Sequence, residues 1–160
     1  MPTTIKADLY SIGNTATVVT DGFAFQATNK ACVKNVNGEI RATKFGLHRV
    51  GPGTVKSTRE QADELGDEYF DRITENINLR VYYSDAYYIP TTIDRVFADH
   101  DNYALYDTEN STVYNVRFDE NEGGTYNLIG TRTNTVKKID TDNLENQIGT
   151  KFEPLVKIEP

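Results

Sequence analysis

The side chains able to carry chemistry are few and scattered. The 160 residues contain two histidines, His48 and His100, and a single cysteine, Cys32. A nucleophilic triad needs a Ser or Cys beside an imidazole that a third group orients. No spacing in this chain gathers such a set, and both histidines are expected to be structural. Asp99-His100-Asp101-Asn102 offers oxygen and imidazole ligands, but Tyr103 stands where a calcium loop needs its next ligand. Asp119-Glu120-Asn121-Glu122-Gly123-Gly124 fails similarly, with Gly123 at a ligand position and Gly130 where the bidentate Glu belongs. Both stretches are expected to be solvated turns, with calcium at Asp119–Glu122 the lesser alternative.

Paired carboxylates could support glycoside hydrolysis if they stood about 5 to 9 Å apart in a cleft, usually among aromatic platforms. The chain has no Trp, and it carries no phosphate-binding glycine loop, zinc-protease helix, nucleophile elbow or paired-cysteine motif. It is therefore expected to be no enzyme and to use no cofactor or metal. Asn110-Ser111-Thr112 matches a glycosylation sequon and is taken as chance.

The tyrosines carry more information. Tyr82, Tyr83, Tyr87 and Tyr88 crowd one short stretch, and strand alternation pushes some of them outward. Exposed Tyr suits protein interfaces because it joins a large apolar body to a polar tip. The competing reading is ordinary strand propensity at a core edge. A second interface candidate is the apolar C-terminal segment 151–160, with Leu155, Val156 and Ile158. It either closes its own sheet, the favoured outcome, or crosses to a neighbour as an arm.

One segment positions all of these. Ser57 to Asn78 is predicted to be an acidic amphipathic helix. Ser57-Thr58-Arg59-Glu60 fits a capping box. Ala62, Leu65, Tyr69, Phe70, Ile73 and Ile77 fall on one face at the helical period. The other face holds Glu60, Asp63, Glu64, Asp67, Glu68, Asp71 and Glu75 against Arg59 and Arg72. Gly66 is the weak point, costing about 1 kcal/mol relative to Ala in a helix interior. A break there would end the first helix at Leu65.

The flanks are predicted to be strands. Asp21-Gly22 separates Thr15–Thr20 from Phe23–Thr28, and Asn37-Gly38 separates Ala31–Val36 from Glu39–Phe45, both suited to tight hairpins. Together these four segments predict a meander, with a bulge to accommodate Lys34. Beyond the helix, Leu79–Ser84, Tyr87–Ile89, Ile93–Ala98, Tyr103–Asp107, Thr112–Phe118, Thr125–Arg132, Val136–Ile139 and Lys151–Ile158 follow as short strands. Asp140–Gly149 is a polar separator.

The totals set the limits. A chain of 160 residues is one domain, 1–160, large enough for a core. A net charge of -7 argues against nucleic acid as a partner. No apolar run approaches the ~20 residues of a spanning helix, so no membrane insertion is expected. The first residues lack an apolar signal core and the lone Cys suits a reducing compartment. Synthesis in the cytoplasm is thus expected, compatible with later incorporation into a virion.

The predicted fold class is mainly β (α+β): an antiparallel β-sandwich or barrel-like sheet with one packed helix at about 57–78. The predicted function is a non-enzymatic structural or assembly protein. A viral or phage particle component fits, such as a capsid decoration or a tail or connector subunit. Its partner would be protein, either itself or a larger shell protein. The alternative is a monomeric carbohydrate- or peptide-binding β module, followed by a hydrolase with a carboxylate pair.

Overall fold

The computed structural model describes residues 2–82, 88–92 and 103–160. Six strands precede the main helix: β1 (Thr3–Ile12), β2 (Thr15–Val19), β3 (Ala24–Ala27), β4 (Val33–Val36), β5 (Glu39–Ala42) and β6 (Leu47–Val50). Helix α1 (Pro52–Leu65) is followed by β7 (Arg72–Val81), β8 (Tyr88–Pro90), β9 (Tyr103–Asp107) and β10 (Thr112–Phe118). Then come β11 (Thr125–Gly130), β12 (Val136–Asp140), a short helix α2 (Thr141–Gln147) and β13 (Phe152–Glu159). The fold is mainly β, one large mixed sheet with helices at its surface.

Strand order explains the core. β6, β3, β2, β1, β7 and β5 lie side by side. β13 pairs with β6 through Ile158 and Glu159, and with β8 through Leu155, Val156 and Lys157. Thr91, just after β8, bridges Ala42 at the end of β5 and donates from its backbone amide to Pro154. That bridge closes the ring, so this part of the sheet rolls into a barrel. Val18, Phe25, Ala27, Ile40, Leu47, Leu79, Ile89, Val156 and Ile158 fill it without measurable exposure. Each of the larger side chains contributes about 1.5–3 kcal/mol through removal from water, and Ala27 less. The first half of β13 pairs instead with β9, which leads through β10 and β11 to β12 as an antiparallel meander.

The helix begins and ends where two glycines place it, and this corrects the expected span. Gly51 caps the N-terminus and Pro52 occupies the first turn, where its missing N–H costs nothing. Ser57 therefore lies inside the helix and caps nothing. Gly66 stops it with φ +53° and ψ -137°, a conformation that L residues avoid. A 3-10 turn at Gly66–Glu68 follows. Ile73 and Ile77 belong to β7. Their spacing of four residues suits a strand as well as a helix, because four is even. Ile77, Leu79 and Val81 then alternate inward.

The hairpins depart from expectation in instructive ways. β2 and β3 pair in the expected register, Val18 opposite Phe25 and Ala16 opposite Ala27. Their turn is longer than two residues, because the Thr20 hydroxyl accepts from the Phe23 amide at 3.0 Å and donates to its carbonyl at 2.7 Å. Asn37 and Gly38 both have positive φ, the signature of a type I′ turn joining β4 to β5. The four-strand meander does not form: β3 pairs with β6, while β4 and β5 sit across the sheet beside β7. Lys34 consequently never faces Phe25. Asp140–Gly149 is not merely a polar separator. Asp140 accepts from the Asn143 amide at 2.8 Å and starts α2, whose Leu144 is fully buried.

Candidate functional site

The interface expected at the tyrosines and the C-terminal segment is interior where it is described. Tyr82 and Tyr88 are buried with Ala104, Tyr106, Val113 and Leu155 in one cluster, and the Tyr82 and Tyr106 rings stand 5.0 Å apart. Leu155, Val156 and Ile158 have no exposed surface. The physical reason is the position of β13, which is paired along its length with β9, β8 and β6, so that Val156 and Ile158 pack in the main core and Leu155 packs against Tyr82 and Tyr88 on the opposite face. Tyr83 and Tyr87 lie outside the described residues, as do His100 and the turn around it.

Tyr82 instead belongs to a charge network that joins β5, β7 and β13. The Arg80 guanidinium donates to both Glu39 oxygens, at 3.0 and 2.7 Å, and to Glu153 at 2.6 Å. The Tyr82 hydroxyl donates to Glu153. Arg41 reaches Glu39 at 3.0 Å and the Thr91 carbonyl at 3.3 Å. Burial works against the Arg80 charge, but its bonds to Glu39 and Glu153 outweigh it and hold the proton more firmly than usual. Burial, reinforced by the bond to Glu153, pushes the Tyr82 phenol well above its ordinary range, so it remains a donor. Two carboxylates do converge here, yet Arg80 lies between them and takes their lone pairs. The arrangement links three strands by charge-assisted bonds.

The acidic turns are also satisfied from within. Asp107 is fully buried at the β9–β10 turn and accepts from the amides of Glu109 and Asn110 and from the Asn110 side chain. Burial alone raises its carboxyl, but those bonds prevail and bring it below the usual range. Asp119 accepts from the Asn121 amide at 2.9 Å, with Lys138 at 3.4 Å, and these bonds likewise lower its carboxyl. The loop's first carboxylate is thus spent on the turn itself. Among the described residues no group of three or more His, Cys, Asp or Glu side chains converges. Cys32 is buried, and His48 sits on β6 opposite Gln26. No helix of the described residues is long and apolar enough to cross a membrane.

Among the described residues the large exposed apolar side chains are Phe45, Leu65, Tyr69, Phe118 and Val136, and two of these stand at or just past the end of α1. Of its fourteen residues only Thr58 is buried. Val55 and Ala62 touch the small cluster of Tyr10, Val19, Ala24 and Phe70 on the outside of the barrel. Arg59 ties the helix down, reaching Asp8 at 3.0 Å and Asp21 at 3.6 Å. Asp8 lies at a bulge, where it also accepts from the Asn76 amide at 2.9 Å. The end of the helix and the turn after it are open to solvent: Leu65 is 43% exposed, and Tyr69, whose ring stands edge-on to Phe70 at 5.1 Å, is 40% exposed, beside exposed Glu64, Asp67 and Glu68. Nothing in the sequence pattern separated Tyr69 from buried Phe70. Adjacent residues on a turn diverge by about a third of a rotation, and the turn at Gly66 decides which one faces inward.

Among the described residues the two ends of the sheet path are β4 and β12, and both carry lysine. Lys34 is exposed on β4, and Lys137 of β12 points back toward the Tyr114 ring. Charges placed in this way discourage strand addition at an edge. No family model matches the chain, and no curated protein and no solved structure matches it.

Proposed function

We propose that this protein is a non-enzymatic structural subunit that associates with copies of itself through the tip of α1. One observation carries this reading: only Thr58 of α1 is buried, and Leu65 at its end and Tyr69, just past the turn that follows, are presented to solvent. A 14-residue helix gains most of its stability from packing, not from propensity. Its apolar end, ringed by carboxylates, fits the core-and-rim composition of a protein contact, in which Tyr is enriched. The acidic, cysteine-poor composition, rich in Thr, Asn and Tyr, supports placing such an assembly in a viral or phage particle.

Amide hydrogen exchange along α1 tests the reading. Protection at the helix tip is expected to rise with protein concentration between about 1 and about 100 micromolar, a range that spans common association constants. The double variant Leu65→Ser/Tyr69→Ser is expected to abolish that rise. Exchange in α1 that is independent of concentration in the wild type contradicts the proposal.

A further inference from the structure

An open cleft of about 480 Å³ lies at one end of the barrel, with Leu9, Ala16 and Val33 of the core at its floor. Its rim carries Lys30, Lys34 and Arg72. Lys30 is held by Asp71 at 3.2 Å. Among the described residues Lys34 and Arg72 have no carboxylate in ion-pairing range, although the chain has 24 acidic residues and 17 basic ones. Arg80, Arg59, Lys137, Lys138 and Lys151 have such partners, while Lys6, Lys44 and Lys157 also have none among the described residues; of these cations without carboxylates only Lys34 and Arg72 line the cleft. In a chain this acidic, two exposed cations without carboxylates beside an apolar floor form a local positive site.

The α1 tip is its complement. Leu65 and Tyr69 are exposed in the stretch that also exposes Glu64, Asp67 and Glu68, and among the described residues no cation pairs with these three acids. An apolar knob with a negative rim matches an apolar cleft with a positive one. The volume accommodates an aromatic ring of the size of Tyr69, by the ordinary scale of binding pockets, about 300–1,000 Å³. Position matters too. Asp71 and Arg72 line the cleft, and Tyr69 is only two residues before them, so knob and cleft are neighbours on the surface. Within one chain the knob does not enter the cleft, since Tyr69 remains 40% exposed. Neighbouring complementary sites of this kind are satisfied simultaneously when two copies meet about a two-fold axis.

We infer that the cleft rimmed by Lys34 and Arg72 receives the α1 tip of a second copy, so that two chains exchange tips in a symmetric dimer. This inference rests on the proposed self-association and names its receptor. The contact is electrostatic at its rim, so it weakens as salt rises.

Two charge-reversed proteins test it: Glu64→Lys/Asp67→Lys/Glu68→Lys, and Lys34→Glu/Arg72→Glu. All five side chains are exposed, and circular dichroism and thermal melting check that each variant folds. Each alone is expected to associate at least tenfold more weakly than the wild type by sedimentation. Mixed one to one, they are expected to recover dimer formation, because each reversed tip then meets an oppositely charged cleft. Unaltered association of Lys34→Glu/Arg72→Glu alone, or failure of the folded mixture to recover, overturns the receptor while leaving the α1 reading standing. A wild type that is monomeric, or a Leu65→Ser/Tyr69→Ser variant that associates normally, overturns both.

Discussion

Arg80 shows how much one side chain can organise. Its guanidinium is about a fifth exposed, as are Glu39 and Glu153, and it neutralises both. Removing one member of such a set leaves the others charged and poorly solvated, which is costlier than the set itself is stabilising. Arg80→Leu is expected to lower the unfolding free energy by about 2–4 kcal/mol, measured by urea denaturation. A loss under about 0.5 kcal/mol, the level of an exposed pair, contradicts the role assigned to it. Asp107 makes a pH-dependent prediction. Its folded carboxyl sits below the ordinary 3.8, so its contribution is complete above that value and disappears as pH falls from 3.8 through its lowered folded value. Asp107→Asn is therefore expected to be less stable than the wild type at neutral pH, with the gap closing in strong acid. Urea midpoints for both proteins at neutral pH and in acid measure this, and a gap that stays constant contradicts it. Neither residue announced itself in the sequence. Arg80 and Glu153 are 73 positions apart, and β7 and β13 are brought together by the closure that runs from β7 through β5 and the Ala42–Thr91 bridge to β8 and β13.

At the scale of elements, the local signals were legible and their partners were not. Asn37-Gly38 predicted its turn because the two positive φ values demand those residue types. The β9–β10 hairpin around Thr108–Ser111 and the register of β2 against β3 across Asp21-Gly22 follow from the turn residues together with the flanking strand pattern. The helix was half legible. Of the seven acids expected on one helix face, Glu60, Asp63 and Glu64 lie on α1, while Asp67 and Glu68 fall in the turn, Asp71 beyond it and Glu75 on β7; a period of four residues fits both helix and strand, and Ile73 and Ile77 belong to the strand. Gly66 is the residue that decides. No atom lies within 4 Å of where its Cβ would stand, so the cost of Gly66→Ala is purely conformational. That substitution is expected to destabilise the protein by about 1–3 kcal/mol, the usual cost of a strained backbone position. Gly53→Ala, inside the first turn, is expected to be neutral or stabilising by up to about 1 kcal/mol. Thermal melting of the two variants checks the contrast, and equal effects contradict the assigned end of α1.

At the scale of the molecule, composition indicated a β-rich fold with a packed helix and an acidic surface, and the topology lay beyond it. β13 closes the barrel from the far end of the chain, and this fixes why Tyr82, Tyr88, Leu155, Val156 and Ile158 are interior. Alternation says that a strand has two faces. It cannot say that both are covered, because that depends on which strands become neighbours. The same limit applied to the candidate surface: the acidic residues of α1 were visible in the sequence, whereas the cleft joins Ser11, Lys34 and Arg72 from three separate strands. The account rests on α1 being a contact element and not a solvated ornament. Sedimentation equilibrium of the wild type at micromolar concentrations tests this most directly. The expected result is a concentration-dependent mass approaching twice the 18.0 kDa of one chain; a mass that remains at 18.0 kDa throughout contradicts it.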